Sequence, residues 1–178
     1  MEKKNNKKTG KIISIVFLSL TGVCLSGCGV IGGYSNKSLY PENITSVYVE
    51  MFDNQSFWRD VEYELTDALA KRIEARTPYK IVSSRDRADS VISGQIETVS
   101  QSVLSNERET GRPLEKEVEI RATVIWINLK TGELLIDNDS VAASASFSQW
   151  QGQGFRYSSA LAANKLAQKI VELMETPW

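Results

Sequence analysis

Few side chains in this sequence could do covalent or acid–base chemistry. Two are thiols, Cys24 and Cys28. There is no histidine, so the commonest general base and the commonest metal ligand are both missing. What remains is carboxylate chemistry. Close acidic pairs include Glu107/Glu109, Glu117/Glu119 and Asp137/Asp139. Glu117 and Glu119 sit two apart in an alternating run, which puts both on one strand face, as solvated surface does. Asp137 and Asp139 fall at the end of an expected strand and could hold a cation. No zinc-ligand spacing and no phosphate-binding glycine loop accompanies them. Carboxylates alone can hydrolyse a bond, but nothing in the pattern asks for it. The expectation is a protein that is not an enzyme, with no catalytic residue, no metal and no cofactor.

The residues around Cys28 explain its presence. Lys3, Lys4, Lys7, Lys8 and Lys11 precede an apolar run, Ile12 to Leu20, which is too short for an ordinary membrane span. A basic head, an apolar middle and small residues before a cut are the parts of a secretory signal. Leu25-Ser26-Gly27-Cys28 resembles the lipobox of bacterial lipoproteins. That resemblance implies lipid transfer to the Cys28 thiol, cleavage before it and acylation of the new amino group. The expected organisation is a removed signal peptide at 1–27, the lipidated Cys28 with a tether at 28–42, and one domain at 43–178. Gly29 follows the cysteine, where enteric bacteria place Asp to retain lipoproteins in the inner membrane, so the sorting leans outward.

Removing residues 1–27 takes five Lys and one Glu from 21 basic and 22 acidic residues, which leaves 16 and 21, a net charge of −5. An acidic domain of this kind is no general nucleic-acid binder, and no polybasic membrane binder either. Its hold on the membrane must come from the lipid, and several acyl chains on one cysteine hold firmly. Cys28 would be its one cysteine, so no internal disulfide can form, and a hydrophobic core must do the work.

The elements follow from periodicity. Alternation predicts a first strand over about 44–51. A polar turn, 53–56, leads into an amphipathic helix over 57–76, with Ser56 as its N-cap and Val61, Leu65, Ala68, Leu69 and Ile73 as its apolar stripe. Thr77-Pro78 ends it. A short strand follows at 79–83. A long strand runs from Ser90 to Leu104, with Ile92, Gly94, Ile96 and Thr98 expected on one face. A charged hairpin, 105–113, joins it to a third long strand over 115–129. There Val118, Ile120, Ala122, Val124 and Trp126 share a face. Ile125, Ile127 and Leu129 make the other face apolar near the end, which predicts cover on both sides there, by the protein itself or by a partner. After a turn at Gly132 the last strand is expected over 134–141, then a loop of small and aromatic residues over 142–155. The last helix is expected over 157–175. The fold class is α+β: a mixed, largely antiparallel sheet of about four long strands, two helices packed on one face, in the order β-α-β-β-β-α.

Several segments together resemble a known family. They are the lipobox, Gly33-Tyr34-Ser35, Ser38-Leu39-Tyr40-Pro41, the run Val47 to Asn54, Glu64 to Leu69, Arg87 to Ile96, and Leu129 to Leu135. The chain resembles the lipopolysaccharide-assembly lipoproteins of the LptE family, in particular the divergent branch of planctomycete-type bacteria. The block Val47–Ile96 is also similar to curli-secretion-pore lipoproteins and to the N-terminal domain of TolB, which keeps an oligomeric envelope lipoprotein as the alternative. The LptE resemblance implies an outer-membrane protein without catalysis. It would plug and help assemble an LptD-like β-barrel and assist lipopolysaccharide insertion at the cell surface. It further implies that basic residues in the hairpin and near the last helix meet lipopolysaccharide phosphates. Here those residues are Arg108, Arg112 and Arg156.

Overall fold

The computed structural model describes residues 38–175. Cys24, Cys28, the signal segment and most of the tether lie outside the described residues. Strand β1 (Ser46–Val49) buries Val47 and runs parallel to two neighbours, β3 (Lys80–Ile81) and the start of β4 (Ser90–Asn106). The two-residue strand β2 (Asp53–Asn54) continues that edge of β4, also parallel. Helix α1 (Val61–Arg76) connects β2 to β3. β4, β5 (Pro113–Asn128) and β6 (Leu134–Phe147) form two successive antiparallel hairpins, and helix α2 (Phe155–Leu173) closes the chain. The sheet order is β3-β1-β4-β5-β6. The fold is the expected α+β one, a mixed sheet with two helices against it.

The helices run side by side in the same direction. Asp60 meets Arg156, Glu64 meets Ser159 and Arg72 meets Gln168, a nearly constant offset along both helices. Small residues make the approach possible: Ala68 on α1, and Ser159, Ala162, Ala163 and Ala167 on α2, are buried with Leu65, Leu69 and Leu166. The alanines and leucines join one core that includes Val118, Ile120, Ala122, Val124 and Trp126 of β5.

Four expectations change. The first strand keeps only four residues: Val49 stands opposite Ile92 and Asp53 opposite Gln95, so one extra residue interrupts the pairing, with Met51 exposed and Phe52 buried, before the chain resumes as β2. The first helix begins at Val61 and not at Phe57, and Ser56 is not its cap. The cause is Asn54. Its amide donates to the Trp58 carbonyl (2.7 Å) and to Glu62 (2.6 Å), while its oxygen accepts from the Ser56 amide and hydroxyl. That holds residues 55–58 as a turn, and Asp60, at φ 76°, starts the helix with no side-chain cap. Third, β4 and β5 slip register between Ile96 and Thr98. One extra residue reverses the facing of everything beyond it. Thr98 therefore turns outward opposite Arg121, and Val99 packs on the core opposite Ile120. Fourth, 142–147 is strand. Val141, Ala143, Ala145 and Phe147 are buried at alternate positions, so β6 continues beneath α2, and the small residues leave room for the helix. Asp137 and Asp139 thus lie inside β6 and not at its end. They flank Asn138, whose φ is 54° and whose amide donates to Asp137.

The run Ala88-Asp89-Ser90-Val91-Ile92-Ser93-Gly94 is where the sheet is pinned. The Asp89 carboxylate accepts from the Thr45 amide (2.9 Å), the Thr45 hydroxyl (2.5 Å) and the Ser46 amide (3.1 Å), and pairs with Lys130 at 2.6 Å. Lys130 stands in the β5–β6 turn, which Asn128 organises by accepting from the Lys130 and Thr131 amides. One carboxylate therefore ties β1 to the far hairpin. Lys130 first, then the Thr45 donors, hold the Asp89 carboxyl well below the usual range. A depressed folded value adds stability that is complete above the ordinary carboxylate pKa of about 4 and fades as pH falls below it. Asp89→Asn is expected to cost roughly 1–3 kcal/mol at pH 7, as for hydrogen bonds to a charged group. Urea titrations of both proteins at pH 7 and pH 3 check this, because the gap between them should narrow at pH 3.

Candidate interaction surface

The sheet outruns its helices. Beyond Ile96, β4 is exposed at every position to Asn106 except Val99, which is half-buried. The β4–β5 turn is fixed by its own residues. Glu107 donates its amide to the Arg112 carbonyl, Gly111 donates to the Glu107 carbonyl at φ 70°, and the Thr110 hydroxyl donates to the Glu107 carboxylate. Glu107 is therefore spent on the turn. Arg108 and Arg112 are exposed, and among the described residues neither makes an ion pair.

The hairpin end also gathers exposed aromatic and aliphatic side chains. Trp150 stands on a 3-10 turn (Gln149–Gln151) and is 65% exposed; with Arg112, Pro113 and Gln149 it lines a cleft of about 460 Å³. Tyr157 and Leu161 of α2, with Ser105, Leu114 and Phe147, line a second cleft of about 510 Å³. Val103 and Leu104 are about half exposed on β4. Trp58 stacks on Phe155 with ring centroids 3.7 Å apart, beside fully exposed Phe57. The aromatics of 142–155 thus divide: Phe147 packs in the core, Phe155 is half-buried in a stack, and Trp150 is free for contact.

The opposite end receives the chain from the N-terminus. Tyr40 meets Tyr79 edge-on at 5.8 Å, and buried Tyr79 donates its hydroxyl to the Pro41 carbonyl at 3.1 Å. Burial first, then the neighbouring Tyr40, pushes the Tyr79 hydroxyl far above its usual range, so it stays a donor. The last tether residues are therefore packed on the domain. The sheet face away from the helices is polar in its middle, where Glu119, Arg121 and Thr123 of β5 stand, with Thr123 donating to Glu97. Ile125 and Ile127 are half-buried there and Leu129 is exposed. Val91 of β4, opposite Ile127 on that face, is buried, so this end of the sheet is partly covered away from the helices as well. Those residues contain no group of three or more metal-ligating side chains and no helix long and apolar enough to cross a membrane.

The family model for LptE, lipopolysaccharide-assembly, matches residues 44–176, nearly the whole of this domain. The chain belongs to the LptE family. LptE proteins form a non-catalytic lipoprotein family of lipopolysaccharide assembly. No curated protein matches the sequence. Among solved structures, the hypothetical protein CT253 from Chlamydia trachomatis is similar at 12% identity and TM-score 0.51, over 72% of this chain and 94% of that one. The uncharacterized lipoprotein B from Nitrosomonas europaea is similar at 15% identity and TM-score 0.50, over 79% and 88%. At such identities the likeness is one of fold.

The segments that carry the LptE resemblance now have physical roles. Asn54 builds the turn before α1, Asp89 pins β1, and Gly132, at φ 75°, closes the β5–β6 turn. The three arginines do not form one cluster. Arg108 and Arg112 share the hairpin, whereas Arg156 sits at the start of α2 and pairs with Asp60 at 2.8 Å. That pair is largely exposed on both sides and adds little to stability. Sequence reasoning missed Trp58, Asp60, Lys165 and Lys169. For the lysines the missing step was the extension of β6, since their partners are backbone carbonyls of 142 and 144.

Proposed function

We propose that this LptE-family chain is an outer-membrane lipoprotein, anchored through lipid on Cys28, that partners and plugs an LptD-like β-barrel and assists lipopolysaccharide insertion at the cell surface. The observation that carries this reading is the polarity of the domain along its long strands. Tyr40, only twelve residues after Cys28, packs on the fold at the Tyr79 end. The bare hairpin, the two clefts and the exposed aromatics lie at the other end. β4 has 17 residues, which at about 3.3 Å each spans more than the roughly 40–45 Å of a bilayer with its headgroups. A domain held at one end by a short tether can thus project its tip through a barrel, and the polar open face suits a wet lumen. In this reading Arg108 and Arg112 present guanidinium forks to lipid phosphates. Arg156 is the weaker contact, because Asp60 already occupies it.

The test is cross-linking of the full-length lipoprotein in native membranes, followed by purification. A one-to-one complex with a large outer-membrane barrel is expected, with lipopolysaccharide bound. Arg108→Glu with Arg112→Glu should leave the barrel in place and reduce the retained lipopolysaccharide about tenfold, the equivalent of about 1.4 kcal/mol. Recovery of the lipoprotein alone, in a ring or not, would replace this reading with the oligomeric one.

A further inference from the structure

Two stretches of sheet edge, one on β6 and one on the outer part of β4, are treated differently. On β6, Ala142 and Ser144 direct their carbonyls away from β5, and two helix residues take them: Lys169 donates to the Ala142 carbonyl at 2.7 Å and Lys165 to that of Ser144 at 2.9 Å. A charged side chain laid across an edge is a known way to keep other strands off it. The outer part of β4 has no such guard. Up to Ile96 its edge is filled by β1 and β2, with the Glu50 amide on the Ile92 carbonyl and the Gln55 amide on that of Ile96. After Gln55 the chain turns away. The register slip at Glu97 then passes the outward-facing backbone groups from even to odd positions, to Val99, Gln101 and Val103. Among the described residues nothing pairs with them. From Thr98 to Asn106 there are nine residues with no charge, no proline and no glycine.

We infer that this edge, Thr98 to Asn106, receives an extended strand from a partner polypeptide, laid end to end with β2 and bonded to the backbone of Val99, Gln101 and Val103. The inference rests on the assembly reading for the partner's place in the envelope. The occupant is a single strand of another protein and not a second copy. Two copies pairing across the same nine residues would set Asn106 of one opposite Thr98 of the other. The hairpin 107–112 would then run on along the edge to where Gln55 already bonds Ile96. A lone strand brings no such hairpin. Its side chains would be uncharged where they flank Gln101 and Val103, both exposed on the helix side of the sheet.

A photo-cross-linking residue placed at Gln101, at Val103 or, as control, at Ser144 of the full-length lipoprotein in native membranes tests this. Cross-links from 101 and 103 to one extended segment of the barrel partner are expected, with none from 144. Gln101→Pro removes an outward N–H that the free fold does not use, and an edge strand tolerates proline there. It should cut the cross-link at 103 at least tenfold while the melting temperature stays within a few degrees. Should that variant misfold, Val103→Lys guards the edge with every backbone group kept, and with the cross-linker at 101 should give the same loss. Cross-links to a second copy, or none while the barrel still copurifies, overturn the inference and leave the assembly reading standing. Absence of the barrel overturns the assembly reading, and the edge inference then holds only if 101 and 103 map to a strand of another polypeptide.

Discussion

Gly94→Ala is expected to destabilise the domain by about 3 kcal/mol or more, at the upper end of what overpacking costs. A Cβ built there would lie 2.3 Å from the Thr123 carbonyl oxygen and 2.4 Å from the Phe52 ring. The ring has little room to swing away, because it is buried between β1 and β2 with 1% of its surface exposed. The carbonyl belongs to β5 in the middle of the ladder and has nowhere to go. Relief therefore demands separation of the two central strands. For a domain of this size about 3 °C of melting temperature goes with each kcal/mol, so a drop of roughly 10 °C should appear in a thermal melt. Phe52→Leu in the same chain would remove one clash and keep the other. A double variant as stable as the parent would show that the carbonyl contact does not matter.

Trp126→Ala is expected to cost about 3–5 kcal/mol, as large-to-small changes of buried aromatics do. Trp126 is 1% exposed, lies near Tyr79 with centroids 5.9 Å apart, and donates its indole N–H to the buried Ser90 hydroxyl at 3.0 Å. It joins the end of the sheet where β1, β4 and β5 meet to the residue that holds Pro41 and Tyr40. Trp126→Phe keeps most of the ring volume and removes the donor, so its expected cost is smaller, roughly 1–2 kcal/mol. Denaturant titration of the three proteins separates packing from hydrogen bonding. A phenylalanine variant as unstable as the alanine one would assign the role to the hydrogen bond.

The segments that were legible in the sequence are those whose burial follows a single period. β5 alternates without interruption from Val118 to Trp126, and its buried set is the one the alternation gives. The stripe on α1 is likewise Val61, Leu65, Ala68, Leu69 and Ile73. Errors came where a side chain or an extra residue redirects the backbone. Asn54 delays α1 by four residues through bonds to groups two, four and eight positions ahead, and no periodicity reports that. The bulge at Glu97 changes the facing of Thr98 and Val99, although each residue type suits either side. In β6 the signal was present, since positions 141, 143, 145 and 147 alternate, but Ala and Ser are poor strand formers and read as loop. They become strand because α2 needs small residues beneath it. At the candidate surface, the sequence marks the hairpin and its arginines. The ion pair that engages Arg156 joins residues 96 positions apart and is visible only once the helices are side by side.

The two lysine contacts on β6 set a limit on how this sheet can grow. A sheet with both edges bare has a valence of two, and identical units can stack through it without end, which is the geometry of a fibre. With Lys165 and Lys169 laid across Ala142 and Ser144, that stretch of β6 is closed to such growth. A strand that joined along Thr98–Asn106 would therefore find no second open site at Ala142–Ser144 through which a further copy could stack.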